Sequence, residues 1–90
     1  MLCLVTYDLK SPGKNYEPLY DEIKHLGQAW WHYMESVWLI QTNVGLDECN
    51  NRLRQLLDNN DLLLIVNITG QPRQGWLPAK AWDWIRTHND

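Results

Sequence analysis

Leu2-Cys3-Leu4-Val5-Thr6-Tyr7-Asp8 opens the chain, and how this stretch is read decides the fold. Leu2 to Tyr7 is an unbroken run of apolar and β-branched residues, of strand length, with no polar alternation. Such a run predicts a central strand buried on both faces. Asp8 then puts one carboxylate at the strand's end. Leu9 to Asn15 contains Ser11-Pro12-Gly13, which is turn chemistry, so a loop follows.

Beyond the loop, Asn15 is a candidate N-cap, and Pro18 falls in a first helical turn, where it is tolerated. Tyr16, Leu19, Tyr20, Ile23 and Leu26 recur at helical spacing. His25 suits the last turn of that helix, and Gly27 is the expected stop. Ala29 to Met34 and Val37 to Thr42 read as two strands joined by a tight hairpin at Glu35-Ser36. Asn43 or Gly45 then caps a second helix, with Asp47 and Glu48 in its first turn. Its apolar stripe is Leu46, Cys49, Leu53, Leu56 and Leu57. Asp58-Asn59-Asn60-Asp61 closes it with a polar turn. Leu62 to Val66, continuing to Ile68, is a second unbroken apolar run, again read as a central strand. Residues 69–75 form an irregular link. Pro78 opens a short last helix that carries Ala81, Trp82, Trp84 and Ile85, and Thr87 to Asp90 are expected to fray.

Strand, helix, strand, strand, helix, strand and a terminal helix predict an α+β fold. It is a ferredoxin-like βαββαβ antiparallel sheet with an additional C-terminal helix. The chain is one domain, 1–90, with a core over 1–70 and a linker and terminal helix over 71–90. The two unbroken runs place the first and fourth strands in the middle of the sheet. Two helices cover one face. The other face is left to the terminal helix, a second subunit or a ligand.

Composition narrows the function classes. Ninety residues make a small domain, for which burying a sheet face in a homodimer is a gain. Hydrophobic residues are 44%, too many for a disordered chain. No apolar run approaches the ~20 residues of a membrane helix, and no signal-peptide pattern opens the chain, so no membrane partner and a cytoplasmic location are expected. Cys3 and Cys49 fall on apolar positions and read as small buried hydrophobes. With no CxxC pair, a structural zinc site is not expected. The net charge is −3, with eight scattered Lys and Arg, which counts against strong non-specific nucleic-acid binding. Six Trp and four Tyr, with no Phe, suit cores, interfaces and base-stacking platforms alike.

Asp8 is the leading site candidate. A carboxylate on a rigid strand end suits a hard cation such as Mg2+, which takes one or two carboxylates and keeps several waters. The plainer role is a loop residue capping nearby amides. Glu35 and His32 lie around the hairpin, which this topology does not obviously bring to Asp8, so a second copy of Asp8 across a dimer is the simpler way to complete a site. His32 reads as a strand residue packed among aromatics. No nucleophile–base–acid set, HExxH, phosphate loop or dinucleotide fingerprint is present. In the run Trp30-Trp31-His32-Tyr33, Trp31 and Tyr33 face opposite to Trp30 and His32. One pair therefore leaves the helix-covered core. It stacks on bases or packs beneath the terminal helix with Trp76, Trp82 and Trp84, and packing is the commoner use of an aromatic stripe. The candidate nucleic-acid contacts are Lys10, Lys14, Trp31 and Tyr33.

Val5-Thr6-Tyr7-Asp8-Leu9 resembles the signature that closes the first strand in the small CRISPR-associated adaptation proteins (the second Cas protein) and in the related VapD toxins. A closer resemblance is to short bacterial SinR-like proteins of the same superfamily. It is carried by Thr6-Tyr7-Asp8-Leu9, Pro12-Gly13-Lys14-Asn15-Tyr16, Trp30-Trp31-His32-Tyr33, Leu57-Asp58-Asn59-Asn60-Asp61 and Gly75-Trp76-Leu77-Pro78. The resemblance implies a ferredoxin-like homodimer. It also implies a metal-dependent endonuclease acting on RNA, with Asp8 as catalytic residue and ligand of Mg2+ or Mn2+ at the dimer interface, and RNA or DNA as partner. The chain departs from the CRISPR family in having no Arg between Leu9 and Tyr16 and in its acidic net charge. The alternative expectation is a non-catalytic homodimeric binding or scaffold module that keeps the fold.

Overall fold

Strand β1 (Leu2–Asp8) lies between two antiparallel neighbours, and the rest of the molecule is placed by it. The computed structural model describes residues 1–90. After β1 come α1 (Glu17–Leu26), β2 (Ala29–Met34), β3 (Val37–Gln41), α2 (Leu46–Arg54), β4 (Leu62–Asn67) and α3 (Ala79–Thr87). The four strands form one antiparallel sheet in the order β2-β3-β1-β4. The fold is α+β, with the ferredoxin-like arrangement and an additional C-terminal helix.

One expectation is corrected by this order. The middle strands are β1 and β3, and β4 is an edge strand. Leu63 and Ile65 of β4 pack on the helix-side core. On its other face Leu62, Leu64 and Val66 are 57%, 58% and 39% exposed. A continuous apolar run has the same sequence whether both faces are buried or one apolar face is left open. Periodicity alone therefore does not separate the two cases.

The sheet carries a separate core on each face. On the first, Cys3, Val5 and Tyr7 of β1 and Trp38 and Ile40 of β3 pack against α1 and α2 through Leu19, Ile23, Leu26, Cys49 and Leu53. On the second, Leu2, Leu39 and Trp31 pack against Ala81 and Ile85 of α3. The terminal helix thus covers part of the second face, and the β4 side of that face stays open.

Local chemistry sets the element ends. The Asn15 amide oxygen accepts a hydrogen bond from Glu17 N–H at 3.0 Å, so Asn15 serves the start of α1 although the helix itself begins at Glu17. Gly27 ends α1 in extended backbone, φ −90°, so it is not there for a left-handed turn. A Cβ at Gly27 would lie 2.8 Å from the Ala29 carbonyl oxygen and 3.1 Å from Ile40 Cβ. The glycine is required because the helix end meets the sheet. The C-terminal residues, expected to fray, make contacts with the segment after β4. Asn89 Oδ1 accepts from Gly70 N–H at 2.9 Å and from Arg73 Nη2 at 3.1 Å, and Arg73 also donates to the Ile68 carbonyl at 2.8 Å.

Candidate functional site

The antiparallel pairing of β1 with β3 begins at Thr6 opposite Val37, which carries the hairpin turn to the end of β1. Tyr7 N–H donates to the Ser36 carbonyl at 3.2 Å. Asp8 and Glu35 consequently line one open cleft of about 680 Å³, together with Tyr7, Lys10, Ser11 and Lys14. The expectation that the hairpin stays away from Asp8 is therefore overturned for Glu35. For His32 it holds, since the imidazole stacks on Trp38 with centroids 3.8 Å apart and its Nδ1 bonds the Val37 carbonyl at 3.0 Å.

Asp8 is exposed at the sheet's end, and Lys10 Nζ lies 3.5 Å from its Oδ2. Its register partner on β4 is Leu62, and with Thr6, Leu62 and Leu64 it also lines a shallow groove on the open face. Asp8 therefore stands where the cleft meets the uncovered apolar surface. Tyr7 forms part of the cleft wall. Its hydroxyl accepts from Trp38 Nε1 at 3.0 Å and donates to the Glu35 carbonyl at 3.4 Å. Burial pushes the Tyr7 phenol above its ordinary pKa, against the opposing pull of the Trp38 N–H, so it stays protonated at neutral pH.

Behind the cleft-lining loop stand two carboxylates, Asp58 and Asp61, whose role the sequence reading missed. Asp61 is nearly buried and accepts from Lys10 N–H at 2.7 Å, Asp58 N–H at 2.8 Å and the Tyr16 hydroxyl at 2.9 Å. Burial alone would raise its pKa, but these donors outweigh that effect and hold it below the ordinary value. Asp58 accepts from Lys14 Nζ at 2.8 Å and Ser11 Oγ at 2.5 Å, and both lower its pKa. The network ties the β1–α1 loop to the α2–β4 turn. Its signal in the sequence was the acidic turn Asp58-Asn59-Asn60-Asp61, whose side chains find amide donors only after the chain has folded back.

The expected nucleic-acid contacts fare differently from one another. Lys14 is engaged by Asp58 and by the Leu56 carbonyl, and Lys10 faces Asp8. Trp31 is only 3% exposed beneath α3, so its ring has no free face for a base, and the stacking expectation fails there because packing takes the ring. Tyr33 keeps an exposed ring, centroid 5.0 Å from that of Trp31. Trp82 and Trp84 pack beside Trp31, whereas Trp76 is 99% exposed and packs on nothing.

For a cation, one chain offers two carboxylates at this cleft, Asp8 and Glu35. No group of three or more His, Cys, Asp or Glu is gathered to hold a metal. A hydrated Mg2+ takes one or two carboxylates and keeps several waters, and here the Lys10 ammonium already lies 3.5 Å from Asp8 Oδ2. No helix is long and apolar enough to cross a membrane. No protein-family model matches the chain, and neither a curated protein nor a solved structure matches it significantly.

Proposed function

We propose that the chain works as a homodimeric binding module whose two copies pair through the open β4 face. One observation carries this reading, the row Leu62, Leu64 and Val66 left exposed on an edge strand. Exposed apolar edge strands invite pairing and aggregation, and natural proteins cover or charge them. Here no charge interrupts the row. A second copy of the same face satisfies it by two-fold symmetry. The experiment is sedimentation equilibrium of the wild type beside Leu64→Glu. The wild type is expected to be dimeric at micromolar concentration. The variant, with a carboxylate in the middle of the apolar face, is expected to be monomeric and folded. A wild type that is monomeric up to the high micromolar range contradicts the proposal.

A second reading is favoured by the meeting of Asp8 and Glu35 at one cleft beside that face. In it, the dimer is a metal-dependent endoribonuclease of the kind that the Tyr7-Asp8-Leu9 resemblance implies. The bound cation would neutralise the negative charge that builds on a phosphate during cleavage. Asp8 and Glu35 would hold its water shell, and Lys10, released from Asp8, would meet the phosphate. The acidic net charge and the engagement of Lys14 by Asp58 weigh toward the non-catalytic module. The two readings separate in one assay, RNA and DNA incubated with Mg2+ or Mn2+, with wild type beside Asp8→Asn. Cleavage that needs the metal and drops at least about a hundredfold in Asp8→Asn supports the nuclease. Equal cleavage by both proteins removes it.

A further inference from the structure

Trp76 is the most open large apolar side chain of the molecule, 99% exposed. The link that carries it is nonetheless anchored on both sides of the ring. Just before it, Gly75 lies against α3, where a Cβ would stand 3.8 Å from the Trp82 ring. Just after it, Leu77 packs on the second core. Trp76 is therefore held outward on a fixed base, with its indole N–H in water.

The same face of the sheet offers a site of matching chemistry. Leu62, Leu64 and Val66 stand opposite Asp8, Thr6 and Leu4 in the β1–β4 register, and directly opposite residues share a face. Leu4, Ile68 and Leu77 all pack on the second core, so the link rises from the face that carries the open row. The groove there, of about 230 Å³, has Thr6, Leu62 and Leu64 along it and the exposed Asp8 at the strand's end. Lys10 approaches one oxygen of that carboxylate, at 3.5 Å, and leaves the other. An indole suits such a groove, being a flat apolar body with one N–H donor at its rim. Area points to the same match. A stable interface buries about 800 Å² on each partner. A whole aliphatic side chain supplies about 60–120 Å², and each of the three in the row is already partly covered. A tryptophan supplies about 150–250 Å², so Trp76 alone brings about as much as the row.

We propose that a second copy of this chain occupies the groove with its Trp76, the ring lying on Thr6, Leu62 and Leu64 and the indole N–H donating to Asp8. The inference rests on the pairing through β4 proposed above and adds the contact that enlarges that interface. Both halves of the match stand on one chain and one face, as a two-fold interface requires, so each pair holds the contact twice, once on either side of the aliphatic rows. The anchors at Gly75 and Leu77 hold the ring off its own sheet, so the groove it enters belongs to the other copy. Trp is also the residue type most often found to dominate the energy of an interface.

The test is sedimentation equilibrium of the full chain with EDTA present, so that no cation competes for Asp8. Trp76→Ala is expected to weaken the dimer at least about tenfold. Trp76→Phe, which keeps a ring and loses the N–H, and Asp8→Ala, which loses the acceptor, should each weaken it about three- to tenfold. Combining these two should cost little more than either alone, because they remove one hydrogen bond. In the monomeric Leu64→Glu background, Trp76→Ala should leave thermal unfolding unchanged, since the ring touches nothing in its own chain. A mixture of labelled and unlabelled chains should give NOEs from the Trp76 indole of one copy to the Leu62 and Leu64 methyls of the other. A wild-type dimer that Trp76→Ala does not weaken overturns this inference and leaves the β4 pairing standing. Indole-to-methyl NOEs found only within one chain overturn it too. A wild type that stays monomeric removes the pairing and this contact together.

Discussion

Asp61 and Asp8 are both acids at the ends of elements, and their surroundings give them opposite parts. Asp61 receives three donors, two backbone N–H groups and a phenol hydroxyl, and knits two loops together, whereas Asp8 is exposed with Lys10 beside it. The folded pKa values of Asp58 and Asp61 lie below the ordinary 3.8. The stability they contribute is therefore present above pH about 4 and is lost as pH falls through the folded values. Lys14 is shifted upward by Asp58, so its share is present below the ordinary 10.5 and is lost as pH rises through the raised folded value. Thermal unfolding followed against pH should fall on the acid side, and Asp61→Asn should lower stability at pH 7 and flatten that acid limb. The cysteines give a second check. Burial, with the nearby Cys49, pushes the Cys3 thiol up to about 11, and burial also raises Cys49. Neither should react with a thiol reagent at pH 8 in the native protein, and both should react once it is unfolded. The tryptophans give a third. Trp31→Ala should cost about 3–5 kcal/mol by opening a cavity under α3. Trp76→Ala, at an exposed ring that packs on nothing, should change stability by less than about 0.5 kcal/mol. The motif repertoire of the sequence does not tell these tryptophans apart, because only the third dimension says which ring a helix covers.

At the scale of elements, much was legible. The helical spacing of Leu19, Ile23 and Leu26, the hairpin at Glu35-Ser36 and the apolar runs of β1 and β4 all predict elements that form. Two things were not. The run Leu62 to Val66 looked central because apolar residues on both faces are the mark of a buried strand, yet its outer face is open. Glu35 looked remote from Asp8 because the topology does not obviously bring the hairpin turn to the end of the first strand, and the Thr6–Val37 register brings them to one cleft. Gly27 was legible as a stop and not in its reason. Helix α1 ends against Ile40 and the Ala29 carbonyl, so Gly27→Ala should destabilise by about 1–3 kcal/mol through overpacking, measurable by urea unfolding.

At the scale of the molecule, the sheet has two unlike open borders. The β4 side offers aliphatic residues next to Asp8. The β2 side offers aromatic rings and an exposed lysine. A small domain with one core on each face of its sheet has little apolar surface to spare, and leaving three aliphatic residues in water is costly unless a partner covers them. Pairing through β4 would also bring two copies of Asp8 toward a common interface, which is the arrangement the nuclease reading needs and the scaffold reading tolerates. The most direct measurement is an isotope-filtered NOE experiment on a mixture of labelled and unlabelled chains. The account predicts intermolecular contacts among the methyl groups of Leu62, Leu64 and Val66. Intermolecular contacts confined to α1 and α2, or none at concentrations where the protein sediments as a monomer, would contradict it.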